Sequence, residues 1–229
     1  MARGILGIRR VGHGGTLDPL ATGLLPILVG TATKYFDRLH EARKVYAAIV
    51  SFGHETDTDD REGTATRESA RPSHDAVEAA LLAFRGVIQQ TPPAYAAVKV
   101  GGRPAYARAR AGETVVLAAR EVQVHRLDIT RWSGEDQLGL LVVCSSGTYI
   151  RSLARDLGRA AGSAAHLGGL RRLAVGALEV GDAVGVEALR RDGREAATAR
   201  IRPLGDELLA LDGRYLREPA GTIVPEGDA

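Results

Sequence analysis

The sequence predicts an α+β fold, a mixed sheet with helices beside it. Three observations carry that reading. Apolar runs of strand character stand at residues 45–53, 121–132 and 137–144. Apolar positions at helical spacing separate the first run from the other two. The turn at Ser133-Gly134-Glu135-Asp136 joins neighbouring runs directly, as in a hairpin, so strands and helices are interspersed and not strictly alternating.

Taken in order, residues 1–34 are rich in glycine and small side chains and hold His13-Gly14-Gly15-Thr16-Leu17-Asp18-Pro19. The strand at 45–53 runs into a polar, acidic loop at 55–63. Ser73 is placed to cap a helix in which Val77, Ala80, Leu81 and Phe84 share one face, and Gly86 ends it. Thr91-Pro92-Pro93 forces an extended segment. After the hairpin, Ser145-Ser146-Gly147 leads into a helix at 148–159. Short helices are expected at 186–191 and 203–211, and an acidic, Gly/Pro-rich tail at 218–229 is expected to fray. No internal repeat is visible.

Composition narrows the function classes. The chain has 229 residues, 45% hydrophobic and 25% charged, enough apolar sequence for a real core and too ordered in pattern for disorder. One cysteine, Cys144, excludes an internal disulfide and a cysteine-rich zinc site. The absence of a signal peptide and of a long apolar run leaves a soluble cytoplasmic protein as the expectation. Net charge is only +2, yet all but three of the 30 basic residues are arginine. Arginine presents a planar fork that fits carboxylate and phosphate, although GC-rich coding gives the same bias.

Three clusters are candidates for chemistry. Asp18 sits in a loop built from Gly12, Gly14 and Gly15 and stiffened by Pro19, a presentation suited to a carboxylate nucleophile or base. An acid that only closes an Asx turn is the plainer alternative. Arg151, Arg155 and Arg159 fall on one helical face, followed by Arg171 and Arg172, giving a local charge of +4 suited to phosphates or, more simply, to a solvated surface. Lys99, Arg103, Arg108 and Arg110 surround Tyr106 without an acid among them, as on a surface that binds looped or single-stranded RNA. His13 and His166 lie in no metal-ligand spacing, and Ser145-Ser146 lacks the elbow of a serine hydrolase.

Together the segments closely resemble the bacterial tRNA pseudouridine(55) synthase family, TruB. The blocks that carry the resemblance are VGHGGTLDPLATGLLPILVGTATK (11–34), KVYAA (44–48), TDTDDREG (56–63), QTPPAYAAVKVGGRPAYARARAGE (90–113), CSSGTYIRSLARDLG (144–158) and HLGGLRRLAVG (166–176). The resemblance implies the pseudouridine synthase fold, a mixed and largely antiparallel sheet flanked by helices and loops. It implies a cofactor-free and metal-free isomerase of tRNA processing that converts the T-loop uridine at tRNA position 55 to pseudouridine. Asp18 matches the catalytic aspartate, Tyr46 the tyrosine that stacks on the flipped uracil, and Arg151 the arginine that pairs with the aspartate. His13 matches a histidine that holds the T-loop, while Lys34, Asp60 and Tyr149 fall on positions lining the site. Lys99 and Arg155, from the basic clusters, are expected to bind substrate. The expected partner is the tRNA T-stem-loop, met by a monomer away from membranes.

The family pattern also sets expectations about organisation. A catalytic domain is expected at 1–180, its helical end at 181–217 and the tail at 218–229. The Lys-Pro and Thr-Ser motif that precedes the Gly-His block in the family is missing, as is an appended PUA-type domain. A tRNA-binding folding chaperone, inactive through a shortened N-terminus, is the alternative function. An unrelated hydrolase using Asp18 and His13 as acid and base is a third.

Overall fold

The computed structural model describes residues 1–223 apart from 114, 116 and 211, and only the backbone of Lys99, Asp206, Glu207 and Gly221. In chain order the strands are β1 (Val11–His13), β2 (Thr22–Gly23), β3 (Ile27–Val29), β4 (Lys44–Phe52), β5 (His54–Thr56), β6 (Ala65–Glu68), β7 (Gly86–Gln90), β8 (Lys99–Val100), β9 (Arg103–Pro104), β10 (Arg120–Ser133), β11 (Gln137–Cys144), β12 (Ala165–Val175) and β13 (Leu178–Glu179). The main helices are α1 (Ala2–Leu6), α2 (Phe36–Glu41), α3 (His74–Leu81), α4 (Ala105–Arg110), α5 (Ile150–Ala160) and α6 (Val186–Ala199).

The main sheet runs β13-β12-β4-β11-β10-β7, antiparallel at every step, and β2 joins it by a parallel pairing to β12. The mixed, largely antiparallel sheet expected from the sequence is therefore present. Alternation on β4 explains its two faces. Ala48, Val50 and Phe52 pack with Leu138, Leu140 and Val142 beneath Leu153 and Leu157 of α5 and Val77 and Leu81 of α3. Val45 and Ala47 face the other way, against Leu141, Val143, Leu173 and Tyr215. The α3 cap forms as expected, with the Ser73 hydroxyl accepting from the Ala76 N–H at 3.2 Å.

Several elements differ from expectation. Strand β12 occupies a near-central position although its sequence, HLGGLRRLAV, lacks clean alternation. Two register shifts against β4, at Leu167/Gly169 and Arg172/Ala174, break the period. The helix at 186–191 extends to Ala199 through a non-helical Gly193. The stretch expected to fray from residue 218 is ordered as far as it is described: a helical turn at Ala220–Ile223 brings Ala220 and Ile223 onto the core, beside Tyr215 of the preceding turn at Arg214–Arg217. Apolar burial of those three side chains overrides the polar composition around them. The remainder of the tail, 224–229, lies outside the described residues.

Candidate active site

Asp18 is held by a loop fastened at both ends. Hairpin β1–β3 pairs His13 with Ile27 and brings the Gly14 N–H to the Pro26 carbonyl at 2.8 Å. A side chain at Gly14 would lie 2.2 Å from Leu39, so glycine is needed for this close approach. Pro19 follows Asp18 inside a turn closed by the Ala21 N–H on the Asp18 carbonyl at 2.9 Å. At the far end Gly23, with φ +94°, lies directly on the backbone of Arg172.

The Asp18 carboxylate meets the Arg151 guanidinium side-on. Nε donates to Oδ2 at 2.9 Å and Nη2 to Oδ1 at 3.0 Å, a bidentate charge-assisted pair. Arg151 has further acceptors in the carbonyls of Thr58 at 3.0 Å and Tyr95 at 3.2 Å. The Asp60 carboxylate lies 3.8 Å from Nη1. Asp60 is itself fixed by the Thr58 hydroxyl at 2.8 Å and the Glu62 N–H at 3.0 Å. Arg151 is 6% exposed and Asp18 29%, so the arginine is buried scaffold and the carboxylate faces outward.

The rest of the arginine face of α5, expected as a phosphate-binding stripe or a solvated surface, is also engaged by acids of this chain, with Arg155 11% and Arg159 54% exposed. Arg155 donates to Asp59 at 2.6 Å, to Asp156 at 2.8 and 3.2 Å, and to the Thr91 carbonyl at 3.0 Å. Arg159 grips Glu55 at 2.9 and 2.6 Å. Apart from Asp156 on α5 itself, the acids come from the 55–63 segment, which is partly buried and locked to β12 by Arg61 N–H on the Leu167 carbonyl and Leu167 N–H on the Asp59 carbonyl, each 3.0 Å. Glu55, Asp59 and Asp60 are thus internal partners of the helix. Arg159 foremost, with Arg67, holds the Glu55 carboxyl down at about 2, whereas burial pushes Asp59 up to about 6 despite Arg155.

Tyr46 lies on the α5-facing side of β4, partly buried against that core. Burial holds its hydroxyl above the ordinary 10.0, so it is a neutral phenol at physiological pH. Tyr149 precedes α5; the Gln90 side chain clamps its backbone, accepting from its N–H at 2.8 Å and donating to its carbonyl at 3.0 Å. The Arg120 guanidinium sits 4.8 Å over the Tyr149 ring. His13 and Lys34 are exposed on the β1–β3 hairpin and the turn after it. Neither bonds to Asp18. The Lys99 side chain lies outside the described residues, though its backbone pairs with Pro104.

Residues 3–150 match the model of the TruB family pseudouridylate synthase N-terminal domain. The chain belongs to the TruB family. A tRNA pseudouridine synthase B of Novosphingobium aromaticivorans is 47% identical over 222 residues, covering 95% of this chain and 71% of that protein. Its counterpart in Xanthomonas campestris pv. campestris is 48% identical over 245 residues, covering 99% and 78%. Among solved structures, a Cbf5-Nop10-Gar1 complex matches with TM-score 0.64 at 26% identity, over 86% of this chain. An archaeal box H/ACA sRNP Nop10-Cbf5 complex matches with TM-score 0.61 at the same identity and coverage. The chain spans about half the length of these two solved chains, 52% and 51%.

Two buried residues of this TruB-family site escape a reading of the sequence. Gln90 opens the block at 90–113, yet no role is drawn for it from the residues or from the resemblance. Arg172, counted above with the surface stripe, is 1% exposed and grips the Asp18 loop. A signal for it does exist: neighbours on a strand point to opposite faces, so one of Arg171 and Arg172 has to turn inward once 165–175 is a strand. A cleft of about 650 Å³ lies elsewhere, between His54, Arg71, Asp136 and His166. His166 is six residues along β12 from Arg172, roughly 20 Å of strand, so that cleft is separate from Asp18. Among the described residues no cluster of His, Cys, Asp or Glu is arranged to hold a metal, and no helix is long and apolar enough to cross a membrane.

Proposed function

We propose that this chain isomerises a uridine of tRNA to pseudouridine, and that its target is the T-loop uridine at position 55. The observation that carries the reading is the outward-facing Asp18 carboxylate, held side-on by a buried Arg151. The names of the TruB-family relatives support the tRNA substrate; the match of the Gly-His-x-Gly-Thr-Leu-Asp-Pro block supports the position.

The reaction breaks the bond from uracil N1 to ribose C1′ and forms one from C5 to C1′. N1 gains a proton and C5 loses one to solvent, so nothing is oxidised or reduced. A base stacked inside a folded loop has to be flipped out first, at a cost of a few kcal/mol. Tyr46 offsets part of that cost by stacking on the extruded uracil. Asp18 then acts on the sugar, at C1′ as a nucleophile or at the C2′ proton as a base. Arg151 fixes the carboxylate and complements its charge, and Asp60 helps hold Arg151. The neutral Tyr46 phenol stacks and donates a hydrogen bond; it is not an ionised base waiting for the C5 proton. His13, Lys34, Lys99 and Tyr149 contact the RNA around the flipped nucleotide. Arg155, spent on Asp59 and Asp156, supports the loop that carries Asp60.

The test is to incubate unmodified tRNA transcript with the chain and map pseudouridine by mass spectrometry of nuclease fragments. Pseudouridine at position 55 is expected. Binding without modification would support the chaperone alternative and overturn this reading.

A further inference from the structure

Among the described residues Arg172 is the largest fully buried side chain, and its hydrogen bonds go to backbone carbonyls and not to a carboxylate. Desolvating a guanidinium costs several kcal/mol unless its donors are satisfied. Here backbone carbonyls do so: Nε donates to Leu24 at 2.8 Å, Nη1 to Thr16 at 3.3 Å and Nη2 to Gly15 at 3.2 Å. These carbonyls bracket Asp18 on both sides in sequence. The Arg172 backbone adds to the clamp, its carbonyl accepting from the Leu24 N–H at 2.9 Å, and Thr22–Gly23 pairs in parallel with Arg171 and Arg172. Tyr46 on β4 is the direct cross-strand partner of Arg172. Opposed residues on antiparallel strands project to the same face, so the residue that holds the Asp18 loop also flanks Tyr46.

We propose that Arg172 is a positioning residue for the isomerisation, fixing the Asp18 loop against the sheet at the place where Tyr46 emerges. It acts through backbone carbonyls and touches no substrate. A fork of five donors reaches three separated carbonyls; a lysine ammonium in the same place is a single point and satisfies fewer of them. The inference rests on the catalytic reading of Asp18 given above.

The experiment is steady-state and single-turnover kinetics of Arg172→Lys, Arg172→Gln and Gly23→Ala on a T-stem-loop RNA. Gly23→Ala leaves Arg172 in place but sets a methyl 2.3 Å from its carbonyl oxygen, lifting the loop from β12. Rates are normalised to folded protein by circular dichroism. In the folded variants kcat is expected to fall about 100-fold, the scale of a 1 Å misplacement, while KM and RNA affinity stay within about 3-fold. Arg172→Lys is expected to recover part of the activity that Arg172→Gln loses. A purely structural role predicts lower thermal midpoints with unchanged kcat per folded molecule, and that result in any of the three overturns the proposal. If none of the three folds, Arg172 is required for folding itself, and the positioning role is overturned as well. Failure of the unsubstituted chain to turn over would instead strike the proposed function.

Discussion

The two ends of helix α5 make the same kind of bond with opposite exposure of its members. At its N-terminal end the arginine is buried and the acid is presented: Arg151 is 6% exposed and Asp18 29%. At its C-terminal end the acid is buried and the arginines lie outside: Glu55 is 6% exposed, Arg159 54% and Arg67 44%. On the proposed function, the carboxylate that meets the substrate is offered from an immobile cation. A carboxylate that only joins a helix to a hairpin is itself the immobile member. Exposure of the acid, and not the ion pair as such, distinguishes Asp18, the proposed reactive carboxylate, from Glu55.

Substitutions can break this contrast at either end. The largest effect is expected at Asp18→Asn, which keeps shape and removes the charge. Turnover falls by at least about 10⁴-fold, the scale on which members of catalytic constellations fail, while RNA affinity in a filter-binding assay is retained. Arg151→Lys keeps the charge but loses the fork and the carbonyls of Thr58 and Tyr95. Its rate is expected to drop about 100-fold in single-turnover kinetics. Glu55→Gln should reverse the pattern, costing about 1 to 3 kcal/mol in urea unfolding and leaving kcat within 2-fold. The smallest change belongs to Glu187→Gln, whose pair with Arg190 is solvent-exposed; stability moves by less than about 0.5 kcal/mol.

The pH dependence of stability sharpens the structural end. Glu55 titrates near 2 in the folded chain against an ordinary 4.5. Its contribution is therefore complete above about pH 4.5 and is lost as the pH falls towards 2. Thermal midpoints of the unsubstituted chain and of Glu55→Gln are expected to differ at pH 5 and to converge near pH 2. A constant difference across that range would show that Glu55 is not held as its partners imply.

Local structure was far more legible in the sequence than the pairing of distant residues. The β10–β11 hairpin and the α3 cap follow from alternation, turn residues and Ser73, all within a few positions of one another. Strand β12 was hidden because Gly168-Gly169 and Arg171-Arg172 interrupt its apolar pattern, and its two bulges shift the register. The ion pairs of α5 join positions about a hundred residues apart. Helical spacing put Arg151, Arg155 and Arg159 on one face but carried no information about what that face meets. The acidic run at 55–63 therefore read only as a polar loop, although Glu55, Asp59 and Asp60 in it are the buried counterpart of that arginine face. The Asp18–Arg151 pairing was implied only by family resemblance, and Arg172 required the strand that the pattern concealed.

The central claim is that the Asp18 carboxylate, presented by Arg151, exchanges the glycosidic bond of a T-loop uridine. Tritium release from a T-stem-loop labelled at uridine C5 tests it most directly, because C5 loses its hydrogen only when the new bond forms. Release is expected from the unsubstituted chain and not from Asp18→Asn at equal RNA occupancy. Comparable release from both proteins would contradict the account.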